Sequence, residues 1–254
     1  SPNFSVVQNE VISLFKVDRD IAQGLFVGQP LSSIYGYEAD GLFLNEEEIS
    51  QYPTQPYAAK PGYIRLKDIS GPDGVPDGIV SPEYDRKIIG NEFPKFNFGA
   101  TLTGDYKNFD LLIQLQGVAG MDNLMVERGE ASEALAFFKG STPQQWMVDN
   151  RWNPESPDRN AKYPRWETTD NAHPENTIST YWLRSAAFLR LNNLQLGYSL
   201  PMHVLDNFSM SRARIYFSGT NLLTLDGYYE GWDPEMDRFY PPTAVYSIGI
   251  NLIF

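Results

Sequence analysis

The 254-residue chain contains no cysteine, which excludes disulfide frameworks, thiolate zinc sites and cysteine nucleophiles together. Histidine occurs only at His173 and His203, too few and too far apart for a histidine metal cluster. Positive charge is also short: 20 Lys and Arg stand against 32 Asp and Glu, a net charge of -12, with no basic run. Such a surface repels phosphate backbones, so no nucleic-acid partner is expected. No apolar stretch reaches the roughly 18–20 residues of a spanning helix, and residues 1–15 lack a basic start followed by an apolar core. Neither a helical anchor nor a signal peptide is expected. There is no Gly-x-Ser-x-Gly nucleophile turn and no phosphate-binding Gly-Lys-Ser/Thr loop. The pairs Asp233/Glu235 and Glu46/Glu48 mimic glycosidase carboxylates but read as acidic loop surface, so no enzyme is expected. Aromatic residues, by contrast, are abundant: 15 Phe, 15 Tyr and 5 Trp, far above what a disordered segment carries.

What recurs along the chain is alternation with period two, the mark of strands with one apolar face. In 244–254, Tyr246, Ile248, Ile250, Leu252 and Phe254 oppose Val245, Ser247, Gly249, Asn251 and Ile253. In 212–220, Ala213, Ile215 and Phe217 oppose Arg212, Arg214, Tyr216, Ser218 and Thr220. Residues 109–116 and 95–103 repeat the pattern. So does the run Leu194, Leu196, Tyr198 and Leu200, except that Arg190 and Asn192 then fall on the apolar side, which calls for a bulge. A sixth strand is expected near Ile34–Leu44 and a seventh near Phe4–Val7.

The connections between these strands alternate in length. Counting back from residue 254 they run long (223–242), short (201–211), long (117–186), short (104–108) and long (45–94). The link at 8–32 is the exception. Asp and Glu concentrate in the long links. Short turns at one end and long loops at the other describe an all-β, antiparallel transmembrane β-barrel.

At these residues the chain resembles SusC-like (RagA-like) TonB-dependent outer-membrane transporters of Bacteroidota, specifically the C-terminal portion of the barrel. The resemblance rests on Val27-Gly-Gln-Pro-Leu-Ser-Ser-Ile-Tyr-Gly-Tyr37, Asp40-Gly-Leu-Phe43, Lys67-Asp-Ile-Ser-Gly71, Asp73-Gly and Asp77-Gly, Ile89-Gly-Asn91 and Pro94-Lys-Phe96. It continues through Asn108-Phe-Asp-Leu111, Gln116-Gly-Val-Ala-Gly120, Tyr181-Trp-Leu-Arg184, Phe188-Leu-Arg-Leu191, Leu196-Gly-Tyr198 and Ser218-Gly-Thr-Asn-Leu-Leu223. It implies that residues 1–254 form about seven strands of a 22-stranded barrel whose N-terminal plug and TonB box lie outside this sequence. It further implies import of oligosaccharides or peptides, with TonB supplying energy through the plug and a SusD-like surface lipoprotein as lid. A terminal aromatic, Phe254, resembles the signal that the barrel-assembly machinery engages.

Two constellations could carry binding. Between Asp68 and Asp85 the chain places oxygen atoms at short intervals among glycines, as a hard cation requires. Asp68, Ser70, Asp73, Asp77 and Asp85 are the expected calcium ligands, and the competing reading is an acidic Gly/Pro turn without metal. Trp146, Trp152, Trp166 and Trp182, with Trp232, lie in the long loops, where they either stack on substrate or pack the loops together and against the lid. Arg212, Arg214, Gln114, Gln116, Asn97 and Asn251 share the polar strand faces and line the lumen. The rival reading of the whole chain is a secreted, soluble glycan-binding β-sandwich, which would bury the apolar faces listed above against one another.

Overall fold

The computed structural model describes residues 1–21, 23–124, 145–165, 177–206, 210–228, 232–235 and 242–254. These fall into two compact units, one formed by 1–8, 94–121 and 185–254, the other by 9–93 and 122–184.

The first unit is a single antiparallel sheet. Its six strands are β1 (Pro2–Val6), β8 (Phe96–Tyr106), β9 (Phe109–Ala119), β12 (Phe188–Ser199), β13 (Arg212–Asp226) and β14 (Val245–Ile253), in the order β1-β8-β9-β12-β13-β14. Every neighbour is antiparallel, and the register carries the alternation across the whole sheet. One row, for example, runs through Leu102, Ile113, Leu194, Gly219 and Tyr246, and another through Gly104, Leu111, Leu196, Phe217 and Ile248. Directly paired residues point to the same side, so apolar side chains collect on one face and Asn97, Gln114, Gln116, Arg212, Arg214 and Asn251 on the other.

Arg190 tests the phase. The register breaks between Leu191 and Asn193, leaving Asn192 unpaired, so the strand changes phase there. Arg190 therefore pairs with Gln116 and Thr224 on the polar side. The expected bulge is present.

Residues 34–44 depart from expectation. Instead of a spanning strand they form β4 (Ser33–Tyr37) and β5 (Ala39–Leu42), which pair with β7 (Arg86–Asn91) and β6 (Ile64–Leu66). The reason is burial: four of the five β4 residues are buried, on both strand faces, as in the interior of a packed layer and not in a wall with one wet side. β1 consequently pairs directly with β8. The connection between them now spans 7–95, and the anomaly at 8–32 disappears. Long and short links alternate without exception along the six-stranded sheet, the short ones being Lys107-Asn108 and 200–211.

The second unit is made of the long connections 9–93 and 122–184 and has its own core. Besides the two pairs above it contains β2 (Arg19–Asp20) with β3 (Leu25–Phe26), β10 (Asp122–Leu124) with β11 (Leu183–Ser185), and helices α1 (Glu46–Gln51) and α2 (Gln145–Asp149). A third short helix, α3 (Met202–Leu205), lies in the 200–211 link. Helix α1 starts where Asn45 accepts the Glu48 backbone N–H at 2.9 Å, while Glu48 reaches back to the Leu44 N–H at 2.8 Å. Leu42, Phe43, Ile64, Leu66, Leu124 and Trp182 are fully buried. Gly62, at φ +88°, lies directly under the Trp152 ring, and a Cβ there would fall 2.7 Å from Cε3. Only glycine satisfies both the backbone angle and the approach.

On the polar face of the sheet, Gly197 serves a different purpose. Arg214 Nε donates to Asp110 Oδ2 at 2.8 Å, and this pair crosses the intervening strand β12 above Gly197. A Cβ at 197 would collide with both partners. Replacing Gly197 with Ala is expected to displace the pair and cost about 1–3 kcal/mol, read as a lower urea midpoint of the full-length barrel with unchanged slope. An unchanged midpoint would show that the pair relocates freely.

Candidate functional site

The two faces of the sheet define the site. On the apolar face Phe4 is 65 %, Leu102 54 %, Ile215 45 % and Ile248 80 % exposed, whereas a sandwich would have buried them. Aromatic residues gather at both ends of this face. At the long-loop end Phe4 stacks on Phe96 with centroids 6.1 Å apart, while Phe217 and Tyr246, 6.3 Å apart, lie nearer the short turns, in the rows of Gly104 and Leu102. At the short-turn end Phe109 meets Tyr198 at 4.8 Å and pairs with Tyr106 across the hairpin. Phe96 and Tyr106 are the ends of one strand, about 34 Å apart along it at 3.4 Å per residue. At the ~40° tilt of outer-membrane strands this is roughly 25 Å of height, the thickness of their apolar band between aromatic girdles.

The polar face is lined by amides, hydroxyls and a few charges. Near the short turns it shapes a cavity of about 670 Å³ bounded by Asp105, Lys107, Asp110, Arg212, Arg214 and Asn251. Toward the long connections Arg190 is nearly buried, and Asn192 donates to Gln116 at 3.2 Å. Arg190 donates from Nη1 to Glu235 at 2.6 Å and from Nη2 to both Asp233 oxygens at 2.5 Å. The Asp233/Glu235 pair is thus held by a guanidinium, and Glu48 is likewise paired with Arg65 and Arg159. Neither is a pair of carboxylates facing an open cleft.

In the expected calcium loop several carboxylate oxygens are taken by the loop's own backbone. Asp85 is wholly buried, its Oδ1 accepting the N–H groups of Ile69 and Ser70 at 2.7 and 3.1 Å and its Oδ2 the N–H of Ser81 at 2.7 Å. Asp68 accepts the Gly78 N–H at 2.6 Å and Asp77 that of Ile79 at 2.9 Å, while Asp73 is exposed. Among the described residues no three carboxylate or imidazole groups converge as a metal site. Asp85 is thus committed to the loop's own N–H groups, whereas Asp68 Oδ1 is buried without a hydrogen-bond partner. The buried carboxylate of Asp85 organises the loop by itself, because an anion accepting backbone N–H groups replaces the hydration each would lose.

Of the tryptophans, Trp152 and Trp182 are buried at 3 % and 0 % exposure and form part of the loop core. Trp146 is half-buried, 5.8 Å from the Tyr163 ring, and Trp232 is half-buried. Trp166 lies outside the described residues, as does His173.

Two groups that sequence reading passed over organise the second unit. Glu38, at the kink between β4 and β5, receives Lys67 and Lys87. The hydrogen bond from Lys67, then that from Lys87, holds its carboxyl down to about 2. Arg65 lies over the Tyr52 ring at 4.6 Å and pairs with Asp40 and Glu48. The sequence cue was a lone Glu between two buried half-strands, facing lysines 29 and 49 residues away, a separation that no local motif reveals.

No protein-family model matches the chain. TonB-dependent receptor P3 of Formosa agariphila is 29% identical over 283 residues, covering 99% of this chain and 26% of that protein. TonB-dependent receptor P26 of the same organism is 25% identical over 248 residues, covering 91% of this chain and 23% of that protein. Among solved structures, one described as the RagAB peptide transporter superposes with a TM-score of 0.70 at 22% identity, covering 100% of this chain and 27% of that one. The fold is therefore that of a transmembrane β-barrel segment. The similarity to TonB-dependent receptors and to a RagA-type barrel agrees with the resemblance carried by the sequence motifs. The chain spans about a quarter of the length of the relatives it matches.

Two outcomes check the electrostatics of the loop unit. Asp85→Ala strands three part-buried N–H groups and is expected to cost about 3 kcal/mol of local stability, seen as faster amide exchange across 68–85. Calcium chelation should leave that exchange unchanged, and a chelator-induced rise would restore the cation reading. Because the folded Glu38 carboxyl titrates lower than an unfolded one near 4.5, its contribution is complete above pH 4.5. It is lost as pH falls through about 2. Amide protection of β4–β7 should decline across that window, and Glu38→Gln should remove the dependence.

Proposed function

We propose that this chain forms wall strands and external loops of an outer-membrane, TonB-dependent importer of the SusC/RagA kind. The observation that carries the reading is the unbroken apolar face of the six-stranded sheet, left exposed along its length. Its outer strands supply a second support. β1 and β14 each carry one row of backbone N–H and C=O groups that no described strand of the sheet pairs. In hydrocarbon each such group would cost several kcal/mol, so further strands of the same barrel are needed to close it.

In this reading the apolar face meets the lipid bilayer and the polar face lines the lumen. A plug that contacts TonB delivers the energy, and a SusD-like surface lipoprotein covers the external loops. The cargo is a nutrient oligomer, an oligosaccharide or a peptide. Backbone-rich cargo of either class is served by the amide and hydroxyl lining of Asn97, Gln114, Gln116 and Asn251, which offers donors and acceptors without strong net charge. Trp146 and Trp232, with rings partly accessible, are the loop tryptophans able to stack on cargo, whereas Trp152 and Trp182 hold the loop core. Phe254 closes the aromatic girdle at the short-turn end and offers the assembly machinery its terminal aromatic. No residue here is assigned a catalytic role.

Neighbouring positions on one strand test the orientation. Ile113→Arg, on the apolar face, is expected to destabilise the full-length barrel by about 2–4 kcal/mol in lipid. Gln114→Arg, one residue on and on the opposite face, should change stability by less than about 0.5 kcal/mol. Equal penalties, or the reverse order, would overturn the lipid-facing assignment.

A further inference from the structure

The Arg190 cluster is more than an ion pair. Its guanidinium uses Nε on Thr224 Oγ1 at 3.0 Å, Nη1 on Glu235 and Nη2 on both oxygens of Asp233, and lies 4.9 Å from the centroid of the Phe188 ring. Both carboxylates come from one short turn, Asp233-Pro234-Glu235. That turn is preformed, because Asp233 Oδ1 also accepts the Glu235 N–H at 2.9 Å and Pro234 is buried. Wall and turn are thus joined through a single cation with 5 % side-chain exposure.

We propose that Arg190 is a positioning residue that anchors the Trp232–Glu235 turn to the polar face of the wall and so sets where Trp232 presents its ring. The charge count explains why one residue suffices. Two carboxylates on one turn repel each other, and only the guanidinium, with donors directed at both, makes their proximity favourable. Without it the turn carries two unpaired anions, and water becomes their better partner. Lysine, a point charge with no fork, can hold one carboxylate but not both in this geometry. If the polar face is the lumen, as proposed above, the anchored Trp232 stands at the cargo path. That final step rests on the importer reading, whereas the anchor itself does not.

The test uses the full-length receptor in outer membranes, stripped of any native cysteine, with Trp232→Cys as reporter and a charged maleimide as probe. Arg190→Gln is expected to raise the labelling rate at least about tenfold, as loss of one partner of a nearly buried pair would, and Arg190→Lys to give an intermediate rise. Asp233→Asn combined with Glu235→Gln leaves the wall strand untouched and should raise labelling as Arg190→Gln does. That variant keeps the test decisive if Arg190→Gln fails to assemble. Unchanged labelling in the double variant, in a barrel that still runs as folded on unheated gels, overturns the anchor. Labelling does not require transport, so loss of uptake with unchanged labelling would reject the anchor and leave the importer reading standing. Raised labelling in a protein that imports nothing would do the reverse.

Discussion

The constraint on which the sheet depends is that hydrocarbon offers backbone amides no partner. A strand in lipid must give every N–H and C=O to its neighbours, and a register that does so also decides which side chains share a face. In this chain the two demands agree across all six strands, so the apolar row of one strand continues into the next without a polar interruption. Where the sequence falls out of phase, at Arg190, a single extra residue restores agreement. The bulge at Asn192 is thus the device that keeps a guanidinium out of the lipid, where it would be most costly.

Glycine placement follows from the same geometry. In a sheet with a wet face, ion pairs and aromatic rings must lie flat across strands, and that requires a strand with nothing standing up beneath them. Gly197 lies under the Asp110–Arg214 pair, Gly117 under the Phe98 ring and Gly249 under the Tyr216 ring. Each glycine sits directly across the ladder from one of the residues that cover it. These positions weaken strand propensity taken alone, and the covering side chain compensates.

The barrel strands were legible because alternation is a local signal, present in any run of eight or nine residues. Faces assigned from Tyr246-Ile248-Ile250 or Ala213-Ile215-Phe217 survive unchanged in the register. The stretch 34–44 was misread for an equally physical reason. Ile34, Tyr35, Tyr37, Leu42 and Phe43 look like one irregular strand, but Glu38 breaks it into two halves whose partners, β7 and β6, lie tens of residues downstream. Burial on both faces erases alternation, and only tertiary pairing distinguishes such a segment from a wall strand. The 68–85 loop shows the opposite limit. Its spacing of aspartates suits a cation, yet the spacing cannot say whether the carboxylates point toward a common centre or toward the loop's own N–H groups, and Asp85 chose the latter.

Charge is arranged differently in the two units, and the difference bears on what each can do. In the loop unit two anions receive two cations each: Glu38 takes two lysines, and Glu48 takes Arg65 and Arg159, while Arg65 also serves Asp40. An anion between two cations is satisfied from either side, so the loss of one partner leaves the other in place and the core beneath it holds. On the sheet, among the described residues, Arg214 meets Asp110 alone, and at Arg190 the proportion is inverted. Arg190 serves two carboxylates, Asp233 and Glu235. Redundancy therefore protects the shape of the loop unit, while a single contact holds the Asp233–Glu235 turn against the sheet.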